Sequence, residues 1–151
     1  MLNRLKDVFA SFQKHEVRYI VIGGIASVIY GVPRATFDLD ILIDATPENT
    51  QKLLDALLDA GMGTADLTNV NEILSNEITI FKDRVRIDVQ TSTPGLSFQD
   101  AWAHRNTLEY QGQSFYIASR EDLISSKKAA GRGVDLDDVR ILELPIKKDG
   151  V

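Results

Sequence analysis

The stretch "VIGGIASVIYGVPRATFDLDILID", residues Val21 to Asp44, leaves the chain few ways to fold. Arg18 to Ile22 is a β-branched and aromatic run that Gly23-Gly24 breaks, and the short apolar segment Ile25 to Tyr30 follows. That order predicts a strand, a tight turn and a helix. After Pro33, Asp38 to Ile43 reads as a second strand, with Leu39, Ile41 and Ile43 on one face. Strand residues two apart point the same way, so Asp38 and Asp40 share the other face. Two carboxylates buried side by side without a counter-charge are costly, and a divalent cation removes the cost.

The rest of the chain supplies the partners such a strand needs. Leu2, Leu5, Val8, Phe9 and Phe12 recur at helical spacing and predict an opening helix. Thr46 is an N-cap before a helix-compatible Pro47, and Leu53, Leu54, Leu57 and Leu58 form a stripe that Gly61 stops. Met62 to Asn76 carries no clear period. Glu77 to Phe81 and Arg84 to Gln90 are two β-like runs, with Val85, Ile87 and Val89 alternating so that Asp88 faces away from them. Phe98 to His104 predicts a short helix, and Thr107 to Tyr110 with Ser114 to Ile117 a hairpin. Ser119 and Asp122 resemble a capping box opening a helix to about Ala130, and Asp135 is expected to cap a last helix through Leu142. With no repeat or linker, the expectation is a single α/β (α+β) domain over residues 1–151, a mixed sheet flanked by helices.

Composition narrows the chemistry. The sequence has no cysteine and two histidines, which excludes disulfides, thiolate zinc and a Cys nucleophile and leaves oxygen ligands for any metal. A net charge of −5 removes the general cationic surface of a nonspecific duplex binder. The uncharged run after Arg18 is too short to span a membrane, and Arg4, Lys6 and Asp7 interrupt the N-terminus, unlike a signal peptide. The expected location is the cytoplasm, away from any membrane.

The constellation that carries chemistry is Gly23-Gly24, then Asp38-x-Asp40, then Asp88 on a later strand. Mg²⁺ or Mn²⁺ takes carboxylate and phosphate oxygens together, as in phosphoryl- and nucleotidyl-transfer sites. Asp88 either completes that metal site or accepts the proton of an attacking hydroxyl; the plain alternative is a surface pair with Arg84 or Arg86. The glycine turn offers backbone N–H groups to a triphosphate.

These residues resemble the nucleotidyltransferases of the DNA polymerase β type, in the small bacterial branch that includes AbiEii-like toxins and aminoglycoside- or lincosamide-type transferases. The first stretch fits that family's Gly-Gly/Ser, spacer, Asp-x-Asp pattern. "SREDLISSKKAAGRGVDLDDVRIL" is similar to a downstream segment of uncharacterised members, with its Lys, its Arg and its Asp-rich helix start. The resemblance implies the nucleotidyltransferase fold, Mg²⁺ and an NTP donor, with Asp38, Asp40 and Asp88 as catalytic and metal residues. It leaves the acceptor open among a small molecule, a protein hydroxyl and an RNA end. Where the family often has Ser, this chain has Gly24, so phosphate contact falls to backbone N–H and Ser27.

Arg34 and Thr36 lie in the loop entering the Asp strand, where a guanidinium can hold phosphate or simply pair with a neighbouring carboxylate. Lys127, Lys128 and Arg132 cluster near a helix C-terminus, where the dipole favours cations without any ligand; Lys127 and Arg132 are the nucleotide-binding candidates. His15 and His104 are expected at the surface without chemistry. The leading function is metal-dependent nucleotidyl transfer from an NTP to a hydroxyl. The alternative is a nucleotide-binding or regulatory module with little turnover, such as one half of a toxin–antitoxin pair. The short chain favours a homodimer or a partner subunit completing the cleft, and a glycosyltransferase using Asp-x-Asp normally needs a larger domain.

Overall fold

The computed structural model describes residues 2–145. A 3-10 turn at Leu2–Arg4 leads into α1 (Lys6–Lys14), followed by β1 (Tyr19–Ile22), α2 (Gly23–Ile29), β2 (Leu39–Ile43) and α3 (Pro47–Asp59). Next come a second 3-10 turn (Gly63–Leu67), α4 (Val70–Ser75), β3 (Ile78–Lys82), β4 (Arg86–Gln90) and α5 (Phe98–His104). The hairpin β5 (Asn106–Tyr110) and β6 (Gln113–Ile117) precedes α6 (Arg120–Ala130) and α7 (Gly133–Leu142). The six strands form one mixed sheet in the order β3-β4-β2-β1-β6-β5, flanked by helices as expected. β1 runs antiparallel to β2 and parallel to β6, and β2 runs parallel to β4.

One sheet face carries the larger core, where Val8, Phe9 and Phe12 of α1 and Leu53 and Leu57 of α3 meet Leu39, Ile41, Ile43, Ile87 and Val89. The other face is covered in part by α5, through Ala101 with Phe98 and Trp102 against Ile20, Ile22 and Leu42. Leu39, Ile41 and Ile43 are fully buried, worth roughly 1.5–3 kcal/mol each, so a one-residue slip of β2 would forfeit all three. Register is thereby fixed, and Asp40 is held on the face opposite the larger core.

Local signals explain most boundaries. Thr46 accepts a hydrogen bond from the Asn49 amide with Pro47 at the first helical position, and Gly61 takes a left-handed φ of +83° just past α3. Ser119 caps α6 by accepting from Asp122 N–H, and Gly131 at φ +69° ends it. Met62 to Asn76 holds only short elements, with Asn69 capping α4 through Glu72 N–H. Two expectations shift. α2 begins at Gly23 itself, because that glycine's φ of +72° makes the whole turn. Asp135 is not a cap: Arg132 occupies that position, and Asp135 lies in the first turn of α7. Among the described residues no helix is long and apolar enough to cross a membrane.

Candidate active site

Asp40 stands on β2 with its Cα paired to Ile22 on β1 and to Asp88 on parallel β4. A parallel in-register pair points both side chains to one face, so Asp40 and Asp88 are neighbours there. Asp38 precedes the strand and its side chain is 49% exposed. Gly23 faces Asp40 so closely that a Cβ built on it would lie 2.8 Å from both Cβ and Cγ of the aspartate. A side chain at position 23 would therefore push Asp40 out of place, quite apart from the strain of a positive φ. Burial, then the charges of Asp88 and Asp38, raise the Asp40 carboxyl from 3.8 to about 7, while the Gly24 amide favours its charged form.

Arg86, two residues before Asp88 on β4, spans these acids. It donates to Asp88 through Nε at 2.9 Å and Nη2 at 3.2 Å, and its Nε lies 3.7 Å from Asp38. Arg84 is engaged elsewhere, with Asp7 and the carbonyl of Ala60. Asp88 is thus both the neighbour of Asp40 and the partner of Arg86, two roles the sequence had posed as alternatives. Among the described residues, no three acidic or histidine side chains already converge as a metal cage.

The opposite wall is cationic. Lys127 on α6 is 7% exposed and lies 3.7 Å from Asp135 and 2.9 Å from Asp138, the latter an ion contact without hydrogen-bond geometry. Arg132 donates twice to Asp135, at 2.6 and 3.1 Å. Arg34, from the loop between α2 and β2, pairs with Asp138. Burial pulls Lys127 below its ordinary pKa against the opposing charge of Asp135. Burial would raise Asp135, but Arg132 and then Lys127 hold it below the usual carboxylate value.

A cleft of about 480 Å³ separates the two walls. Of the residues expected in the site, Gly23, Gly24, Arg34, Asp40, Asp88, Lys127 and Arg132 line it. Asp38, Ser27 and Thr36 do not. Ser27 is buried and its hydroxyl donates back to the Gly23 carbonyl at 3.0 Å, the common fate of a helical serine bonding one turn back. Thr36 lies against Gly24, where an added Cβ would sit 3.0 Å from its hydroxyl. The sequence reading missed the pairing of Asp135 and Asp138 with these cations. The available signal was their spacing: three apart, they share a helix face with Val139 and Leu142, which are buried.

The model of a family described as nucleotidyltransferase of unknown function (DUF6036) matches residues 2–147. The chain belongs to the DUF6036 nucleotidyltransferase family. The fold of this family member is similar to the crystal structure of a "putative nucleotidyltransferase" from Thermotoga maritima, with a TM-score of 0.58 over 93% of this chain and 90% of that one. At 16% identity that likeness shows the fold alone. No curated protein matches the sequence.

Proposed function

We propose that this DUF6036 protein moves a nucleoside monophosphate from an NTP to a hydroxyl acceptor in the cleft between β2–β4 and α6–α7. The observation that supports this most is the opposition of charge across one cavity, with Asp40 and Asp88 on one wall and Arg34, Lys127 and Arg132 on the other. The divalent Mg²⁺ or Mn²⁺ ion that such chemistry calls for fits the donor set. That set is carboxylate oxygen alone, and Asp40 and Asp88 stand in register on neighbouring parallel strands, both lining the cavity. Asp38 and Asp40 are the residues that would hold it. When bound, the ion neutralises charge developing on the transferred phosphoryl group.

The chain's own groups do the remainder. Arg34, Lys127 and Arg132 bind and orient the donor phosphates, and their fixed geometry supplies electrostatic stabilisation without reorganisation. Gly23 lets Asp40 lie against the start of α2, and Thr36 keeps the entering loop packed on Gly24. Asp88 takes the proton of the acceptor hydroxyl as its oxygen attacks the α-phosphorus and pyrophosphate leaves. For that step Arg86 must release Asp88, since a carboxylate bound bidentately by guanidinium is a poor base.

Incubation with labelled ATP, GTP, CTP and UTP plus Mg²⁺ and a cell extract tests the reading. Label transferred to a macromolecule or small molecule by the wild type, and not by Asp40→Asn, is the expected result. The bidentate hold of Arg86 on Asp88 favours a second reading, a nucleotide-binding module with little turnover. Label retained as bound NTP with no transfer would select it.

A further inference from the structure

We infer that Asp138 is a positioning residue, holding Arg34 and Lys127 in the orientation that receives the donor's phosphates. The inference rests on the proposed nucleotide site for the identity of the anion, and concerns a residue that touches neither substrate nor cleft.

Asp138 lies on α7, is 1% exposed and does not line the cavity, whereas both of its partners do. One carboxylate oxygen meets Arg34, which comes from the α2–β2 loop, and the other lies 2.9 Å from Lys127 Nζ on α6. Two long side chains from separate segments are thus fastened from behind by a single buried group. Free arginine and lysine side chains lose much rotamer entropy on gripping a ligand, and a carboxylate that has already fixed them removes part of that cost before binding. Asp135 differs, because it lines the cavity itself and keeps Arg132 in a two-bond pair. With Asp135 offsetting Arg132, and Asp138 offsetting one of its two partners, the wall keeps one positive charge in excess, as an anion site requires.

Coulomb's law alone gives the opposite expectation for a mutation. Removing a negative charge beside an anion site should tighten anion binding. Positioning predicts that it weakens. Inorganic tripolyphosphate, titrated calorimetrically into the wild type, Asp138→Asn, Arg34→Gln and the double variant, reads the sign directly. Asp138→Asn should bind about tenfold more weakly, and the double variant should lose less than the product of the single losses, because both changes act through Arg34. Asp138→Glu keeps the net charge but moves the carboxylate by one methylene. It should weaken binding about threefold at an unchanged melting temperature, and it carries the test if Asp138→Asn does not fold. In nucleotidyl transfer, KM for the NTP should rise with kcat nearly unchanged. A wild type that binds no tripolyphosphate, or folded variants that bind it as tightly or more tightly, would overturn the inference. Wild-type protein that binds tripolyphosphate but transfers no nucleotide would count against the activity reading alone, leaving the comparison among variants decisive for Asp138.

Discussion

The two walls of the cleft hold their charges differently. On the β2–β4 side, Arg86 pairs with Asp88 and lies 3.7 Å from Asp38, while Asp40 beside them is raised to about 7. On the α6–α7 wall, three cations are matched by two buried carboxylates; Arg34 and Lys127 are paired across segments, while Arg132 is paired with Asp135 within the start of α7. The first wall carries more negative charge than Arg86 alone offsets. The second keeps one positive charge in excess, and its buried carboxylates fix where the cations stand. On the proposed reading, the first wall meets the cation and the second the phosphates.

The largest expected effect lies on the first wall. Asp38→Asn with Asp40→Asn should reduce nucleotidyl transfer by roughly a thousandfold while the protein stays folded, as followed by product formation and circular dichroism. Retained transfer would remove the carboxylates from the chemistry. Gly23→Ala comes next, costing about 1–2 kcal/mol from its left-handed backbone and further activity from the displaced Asp40. Gly24→Ala meets only the Thr36 side chain, its hydroxyl nearest at 3.0 Å, and should cost under about 1 kcal/mol in denaturant unfolding. Equal losses at the two glycines would mean that packing against Asp40 is not what position 23 provides.

A smaller effect appears in stability against pH. Asp40 has its folded pKa raised from 3.8 to about 7, so the folded state holds the extra proton between those values. Its contribution is therefore intact below pH 4, falls as pH rises toward 7, and is flat above. In metal-free buffer Asp40→Asn should match the wild type near pH 3.5 and exceed it by up to about 4 kcal/mol at pH 8. A difference that grows toward acid would reverse the assignment. The smallest effect is expected from Arg86→Met, which frees Asp88 and Asp38 from their guanidinium and should raise Mn²⁺ affinity about threefold. Weaker Mn²⁺ binding would make Arg86 an organiser of the acids instead of a competitor for them.

Much of the first wall was legible in the sequence, because alternation on two strands is a local signal. Leu39, Ile41 and Ile43 decide the direction of Asp40, and Val85, Ile87 and Val89 decide that of Asp88. Their adjacency needed only the parallel pairing of β2 and β4. The second wall was half legible. Lys127 and Arg132 were visible as a basic cluster, but their partners were hidden, since Asp138 meets Arg34 across a sequence separation no local pattern encodes. Ser27 misled for a related reason: a serine just after a glycine turn has a helix carbonyl one turn back to bond, and nothing in the sequence says which way it will turn. Met62 to Asn76 stayed unread because its helices are too short to show a period.

The central claim, that the carboxylate wall takes a divalent cation together with an NTP while the cationic wall takes the phosphates, is tested most directly by one titration. Non-hydrolysable analogues of the four NTPs are titrated calorimetrically into the wild type and into Asp38→Asn/Asp40→Asn, with Mg²⁺ and again with EDTA. For at least one base, Mg²⁺ should tighten wild-type binding by about tenfold or more, and that gain should vanish in the double variant. Affinity that is the same with Mg²⁺ and with EDTA, or a gain that survives in the double variant, would contradict the account.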